Sequence, residues 1–353
     1  MRFVTITIAI FSNIYFQPAQ GSLISSPAGH FEAFLGNAGA ALEGSAGNVL
    51  FNPAGLAFAA DKKSFLSVAG TAIGYSELGQ REGLKSEGQL NSRPLFTGYS
   101  SPYDENLRLS LFYSEFSNYT QYTQTSSSDS EITYERSLVG LSYAGPISNK
   151  TAWGFTVGVD FQEKDVMTFQ KTPVASEKDF QQQMFFYVQP GLMWQVSDKY
   201  TTGLSISWRA LNLDSEGNTI TSSVTNDLRR YSPDRDPLLG VTMGQGWNME
   251  RWKILADLSY AFESPQDKFW SLSLGAHTYR GSEMDVLFGF QHMSGASYFR
   301  DLGSIGVNFK QAHYQSTMGL YFQTFNGHEE GALTSSEFGV IFSASFEFWQ
   351  KDR

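Results

Sequence analysis

From residue 63 onward the chain repeats a period of two, in run after run of about ten residues, which is the spacing of side chains on one face of a β-strand. Trp153, Phe155, Val157, Val159 and Phe161 alternate with Gly154, Thr156, Gly158 and Asp160. The pattern returns at Tyr200, Thr202, Leu204, Ile206 and Trp208, and at Trp252, Ile254, Ala256, Leu258, Tyr260 and Phe262. It returns last at Phe338, Val340, Phe342, Ala344, Phe346 and Phe348. One face is apolar; the other carries Gly, Ser, Thr and Gln. Fourteen such segments are expected, at 63–75, 92–100, 106–117, 132–144, 151–163, 182–196, 199–212, 236–247, 251–263, 267–279, 283–292, 297–310, 313–324 and 335–349.

So many half-apolar strands need an apolar solvent for one face. A soluble sandwich also alternates, but it turns its apolar face inward and rarely extends to fourteen long strands. Composition points to lipid: aromatic residues make up 15% of the 353-residue chain and charged residues only 17%. The mean hydropathy of -0.26 argues against helical spans, and no apolar run approaches the roughly 20 residues such a helix needs. A closed barrel is the remaining membrane architecture, because every backbone N–H and C=O must be paired in hydrocarbon. The expected fold is an all-β, 14-stranded antiparallel transmembrane barrel over residues 63–353.

The connections fit that fold. Short ones, such as 101–105, 145–150, 197–198 and 280–282, alternate with long ones at about 118–131, 164–181 and 213–235. This is the contrast between periplasmic turns and outer loops. Tyr75, Tyr99, Tyr143, Trp194, Trp208, Trp247, Trp252 and Trp349 sit near strand ends, where interface girdles form.

Residues 1–21, with Arg2 followed by the apolar run 3–11 and small residues up to Gly21, read as a secretory signal peptide. Residues 22–62 do not alternate. They are rich in Gly, Ala and Ser, suited to short helices and tight turns inside a barrel. Pro53 blocks a continuing helix and restrains Asn52 to extended or turn conformations, from which its amide can cap the turn.

Several functions are disfavoured. A formal net charge of -10 without basic clusters argues against nucleic acid. With no cysteine there is no disulfide, thiolate metal site or cysteine nucleophile. His30, His277, His292, His313 and His328 are scattered; the nearest His–Ser neighbours, His277 with Ser273 and His292 with Ser294, carry no catalytic signature. Neither enzymatic activity, a metal nor a cofactor is expected.

The order Gly36-Asn37-Ala38-Gly39-Ala40, Glu43-Gly44, Ala46-Gly47-Asn48 and Asn52-Pro53-Ala54, just ahead of the first strand, resembles the N-terminal hatch of the FadL family of outer-membrane transporters. The resemblance implies a fourteen-stranded barrel in the outer membrane of a Gram-negative bacterium, plugged by a hatch at 22–62. It implies passive uptake of long-chain fatty acids or other hydrophobic compounds, by a monomer in contact with outer-membrane lipid. Asn52, Pro53 and Ala54 would belong to the hatch. Val166, Met167 and Phe169, apolar groups in the expected loop 164–181, would capture ligand. A non-transporting structural or assembly barrel, or a general porin, is the alternative.

Overall fold

The computed structural model describes residues 27–59, 63–78, 89–104, 106–124, 128–171, 174–222, 226–231, 238–262, 268–279, 283–295, 298–327 and 334–349. The expected leader, 1–21, lies outside them. Fifteen strands follow the N-terminal segment: β1 (Lys63–Leu78), β2 (Gln89–Pro102), β3 (Arg108–Gln124), β4 (Ser128–Ser148), β5 (Thr151–Lys171), β6 (Val174–Ser197), β7 (Tyr200–Ser222), β8 (Asn226–Tyr231), β9 (Leu238–Asn248), β10 (Trp252–Phe262), β11 (Lys268–Tyr279), β12 (Met284–Ser294), β13 (Tyr298–Gln311), β14 (Tyr314–Gly327) and β15 (Thr334–Trp349). Fourteen of them close an antiparallel barrel, with β1 paired to β15 from Lys63↔Trp349 onward. The fifteenth, β8, pairs among the described residues with the far end of β7.

The expected alternation orients the wall. Trp153, Phe161, Trp208, Leu258, Phe338 and Phe342 are exposed on the outside, while Thr156, Asp160, Ser205, Asp257 and Ser343 are buried on the inside. A continuous apolar outer surface of this extent is stable only against lipid. Tyr99, Tyr143, Trp194, Trp208 and Trp252 are exposed as a girdle requires; the side chains of Tyr75 and Trp349 lie outside the described set.

The wall is unequal in height. β4, β5, β6 and β7 run 21, 21, 24 and 23 residues, whereas β9, β10, β11 and β12 have 11 or 12. A tilted strand crosses the hydrocarbon in about 9–11 residues, so the tall side extends well past it. This corrects the expected long loops. Residues 164–171 and 174–181 are the outer ends of β5 and β6, and 213–222 belong to β7. Above the lipid both strand faces meet water, so the apolar half of the alternation disappears while backbone pairing continues.

Inside the barrel lies the N-terminal segment. It comprises a 3-10 turn (Glu32–Phe34), a single α-turn, α1 (Asn48–Phe51), and a 3-10 helix (Pro53–Phe58). Almost all of residues 27–56 are buried. Phe34, Leu35, Val49, Leu50, Phe51 and Leu56 share one core with Leu95, Phe96, Phe112, Leu138, Leu255, Leu287, Leu302 and Ile341 from the wall. Plug and wall share this apolar core, which sits among buried polar wall residues such as Arg136, Asp160, Arg209, Lys253 and Asp257.

Candidate functional site

The segment approaches the wall so closely that inward side chains have to be absent. On seven strands the facing residue is glycine: Gly154, Gly191, Gly203, Gly244, Gly275, Gly289 and Gly306. Gly154 and Gly191, Gly203 and Gly244, and Gly275 and Gly289 are cross-strand neighbours, so the bare positions form a partial ring over half of the barrel strands. A Cβ at Gly203 would lie 1.8 Å from the Ala40 carbonyl oxygen, and one at Gly289 would lie 1.9 Å from the Gly36 nitrogen. Mid-strand glycine is otherwise unfavourable. Its recurrence on neighbouring strands is the sequence signal that marks where the plug sits.

Asn52-Pro53-Ala54 presses on β5, β6 and β7 at this ring. Asn52 is extended (φ −156°, ψ 101°), as expected ahead of proline, and its Oδ1 accepts from the Ala54 N–H at 3.2 Å. Its Nδ2 donates to the Ala40 carbonyl at 2.8 Å and to the Leu192 carbonyl of β6 at 3.0 Å. One side chain therefore ties two plug segments to the wall. Pro53 opens the 3-10 helix, where its missing N–H costs nothing, and Ala54 is fully buried.

The carbonyls at the C-terminal end of a helix lack partners within it, and here the wall supplies them. Thr156 Oγ1 donates to Val49 O at 3.1 Å, Gln189 Nε2 to Leu50 O at 3.1 Å and Phe51 O at 3.0 Å, and Ser205 Oγ to Phe51 O at 2.7 Å. Across the lumen, Asp257 Oδ2 accepts from the Gly39 and Ala40 N–H groups at 2.7 and 2.8 Å. Asn37, in the left-handed region at φ 62°, donates from Nδ2 to Gln291 at 3.2 Å. Toward the short turns Glu43 accepts from Lys253 at 2.7 Å, Thr201 at 2.7 Å and Gln195 at 3.1 Å. Burial pushes the Glu43 carboxyl up, but Lys253 and these bonds outweigh it and hold its pKa below the ordinary value. Within the plug, burial lowers His30 to about 4 and raises Glu32.

Inward arginines stand above and below the plug. Arg136 binds Asp160 through Nε at 3.1 Å and Nη2 at 2.6 Å, and Arg209 lies 3.9 Å from the same carboxylate, with its guanidinium 4.4 Å from the Phe185 ring centre. Arg108 donates to the Lys63 carbonyl at 3.0 Å.

The wall itself is interrupted between β2 and β3. Their ladder runs from Pro102↔Arg108 to Phe96↔Ser114 and goes no further among the described residues. Bulges fall at Leu95 on β2 and between Glu115 and Ser117 on β3. Pro94 cannot donate to a ladder, and Ser114 Oγ takes the Leu95 carbonyl at 2.8 Å instead. Apolar Leu95, Phe96 and Phe112 are buried at this break.

The expected capture residues are not gathered in a loop. All three lie in β5, where Gln162 is buried and Phe161 exposed; the alternation puts Val166 on the inner face and Met167 and Phe169 on the outer. The histidines pair with aspartates on the next strand, not with serines: His277 with Asp285 at 2.9 Å and His292 with Asp301 at 2.7 Å.

The Ralstonia pickettii toluene transporter TbuX superposes with a TM-score of 0.72 at 12% identity, over 92% of this chain and 99% of that one. The fold is that of the FadL-type barrels. The P. putida toluene transporter TodX gives 0.71 at 12% identity over 93% and 100% of the two chains, and a Pseudomonas aeruginosa FadL homologue gives 0.67 at 11% over 93% and 99%. No protein-family model and no curated protein matches the sequence. At such identity the FadL-type fold rests on geometry alone. The seat of the N-terminal segment in this chain is marked by its own inward-facing glycines.

Proposed function

We propose that this barrel carries hydrophobic compounds, such as long-chain fatty acids, passively across the outer membrane of a Gram-negative bacterium. The observation that carries the reading is the apolar core shared by plug and wall, set beside a break in the wall between β2 and β3. A general porin needs a wet polar lumen, whereas here Phe34, Phe51, Phe96 and Phe112 meet. The similarity in fold to barrels described as toluene transporters supports the same reading.

In this mechanism a ligand captured at the outer side enters the apolar interior, with burial worth roughly 0.8 kcal/mol per methylene and no other energy source. The hatch shifts, and the ligand leaves sideways between β2 and β3, where backbone pairing has already lapsed. Asn52, Pro53 and Ala54 act as the hatch corner that breaks and remakes its bonds to the wall. Val166, Met167 and Phe169, on the stretch of β5 that rises above the lipid, are the proposed place of first capture.

Liposomes loaded with an acceptor for labelled fatty acid test this. The parent protein should raise the initial uptake rate over protein-free vesicles, and Asn52→Ala should change it. Equal flux through parent, variant and protein-free vesicles removes transport and leaves a structural barrel.

A further inference from the structure

The outer face of the short wall carries polar side chains at the top of its lipid-facing belt. Burial alternates along β12: Gln291 and Met293 are buried inside, Phe288 and Phe290 are exposed outside, and His292 and Ser294 continue their outer face. β12 has 11 residues, about the number that crosses the hydrocarbon, so Ser294 at its outer end stands where acyl chains give way to head groups. The register sets Asp301 of β13 opposite His292, with Oδ1 2.7 Å from Nδ1. A carboxylate only accepts, so Nδ1 donates and the neutral ring keeps its lone pair on Nε2. The Trp270 ring packs 5.1 Å and the Phe299 ring 6.3 Å from the imidazole, between centroids, and both restrict its plane.

Ser294 lies two residues from His292 on the same face, about 6.7 Å along the strand, a span that an imidazole covers. The other His–Ser neighbours, His277 and Ser273, stand about 13 Å apart along β11, and His277 spends its Nε2 on Asp285. Of the two pairs, only His292 and Ser294 have a carboxylate on the Nδ1 side, which orients Nε2 for the serine.

We propose that Ser294, His292 and Asp301 form a hydrolytic triad that cleaves ester-linked acyl chains of outer-leaflet lipids. The side chains of His292 and Asp301 are 30% and 37% exposed, open to a lipid beside the barrel, and Phe290 and Ile305, exposed just below, give its acyl chain a surface. Ser294 Oγ bonds to the ester carbonyl carbon while its proton passes to His292 Nε2. The bond from carbon to the alcohol oxygen breaks, and the alcohol leaves with that proton. Water, deprotonated by the same nitrogen, then replaces the serine oxygen, which recovers the proton as the fatty acid departs. Asp301 is the positioning residue, holding the ring and stabilising its charge between the two halves. Hydrogen bonds between nucleophile and base often close only when substrate arrives. The site uses no residue of the plug or of the β2–β3 break, so it stands apart from uptake.

Mixed micelles of the purified barrel and didodecanoyl phosphatidylcholine test this, read as release of dodecanoic acid. A fluorophosphonate, which loses fluoride to an activated serine hydroxyl, is added in parallel and the labelled peptide identified by mass. Acid release that Ser294→Ala abolishes, and a label on Ser294 that His292→Gln prevents, are the expected results. Asp301→Asn keeps the shape but removes the charge, so kcat should fall roughly a hundredfold or more with KM unchanged, and Asp301→Glu should restore most of it. Each variant should melt with the parent. No acid release by the parent above protein-free micelles, with no label on Ser294, overturns the triad, as does release that Ser294→Ala leaves unchanged in a folded barrel. Hydrolysis by a parent that takes up no fatty acid leaves the triad standing and removes uptake; uptake without hydrolysis does the reverse.

Discussion

The plug meets two different walls. On the tall side, β5 to β7, side chains reach inward and donate: Thr156, Gln189 and Ser205 take the carbonyls at the end of α1. On the short side, β9 to β13, the wall is bare at Gly244, Gly275, Gly289 and Gly306, and Asp257 accepts from Gly39 and Ala40 and Gln291 from Asn37, with Lys253 the donor among them, to Glu43. Asn52, which donates to the Leu192 carbonyl, is the exception on the tall side. The difference separates two ways of seating a domain. Hydrogen bonds worth about 1 kcal/mol each can be exchanged as the plug moves. Backbone pressed against glycine cannot yield, and it is so pressed at Gly154 and Gly203 as well as along the short side, so the glycines set where the plug rests and the tall wall's donors set how it is turned.

The contrast is broken most severely by filling the short wall. Gly289→Leu places a Cβ against the Gly36 nitrogen and the Leu35 carbonyl carbon, both backbone, and should cost the seated state about 3 kcal/mol or more. The plug should leave, and single-channel conductance in a planar bilayer should rise to an open level. A closed channel with parental hydrogen exchange in residues 34–41 would show that the glycine ring does not seat it. Asp257→Ala leaves two buried N–H groups without acceptors, at about 3 kcal/mol. Exchange at the Gly39 and Ala40 amides should accelerate while Asp257→Asn, which keeps one acceptor, loses less.

Acid sharpens the comparison from within the plug. His30 is neutral in the seated plug, with its pKa lowered from 6.5 to about 4, so a released plug binds a proton that a seated one refuses. Seating therefore weakens as pH falls from about 6.5 to 4, by about 3 kcal/mol at most. Glu43, depressed by Lys253, adds a loss only as pH falls through its lowered pKa. Glu32 acts in the opposite sense, because its burial-raised carboxyl is relieved by protonation. The difference between parent and His30→Gln in conductance against pH isolates the histidine; identical profiles would exclude it. The smallest effect belongs to the tall wall. Asn52→Ala removes bonds to Ala40, Leu192 and Ala54 and should cost about 2 kcal/mol, read as faster exchange in residues 48–56 with the barrel amides unaltered.

The barrel was legible because lipid imposes a rule on every strand it touches. Trp252 to Phe262 keeps an apolar residue at every second position, and β10 spans those residues. Past the lipid the rule lapses, and Glu177-Lys178-Asp179, expected as loop, is strand. β8, inside the expected loop 213–235, was hidden for the same reason. In the plug, Asn52 and Pro53 were legible from local backbone chemistry, since proline constrains its neighbour wherever it stands. The plug's partners on the wall were not, because Leu192, Thr156 and Asp257 reach it only through the register of strands more than a hundred residues away. The mid-strand glycines were the available clue, visible one by one but meaningful only once paired across the sheet.

The central claim is that the plug must move for anything to pass. A Cβ at Gly246 would lie 3.7 Å from that of Ala41, close to the mean of about 3.8 Å for a disulfide, and the chain offers no competing thiol. Ala41→Cys with Gly246→Cys should therefore lock the plug to β9 on oxidation. Labelled fatty acid uptake into liposomes should fall to the protein-free rate in the oxidised protein and return on adding a reductant. Equal uptake by the oxidised and reduced forms, with the cross-link confirmed by mass, would contradict the account.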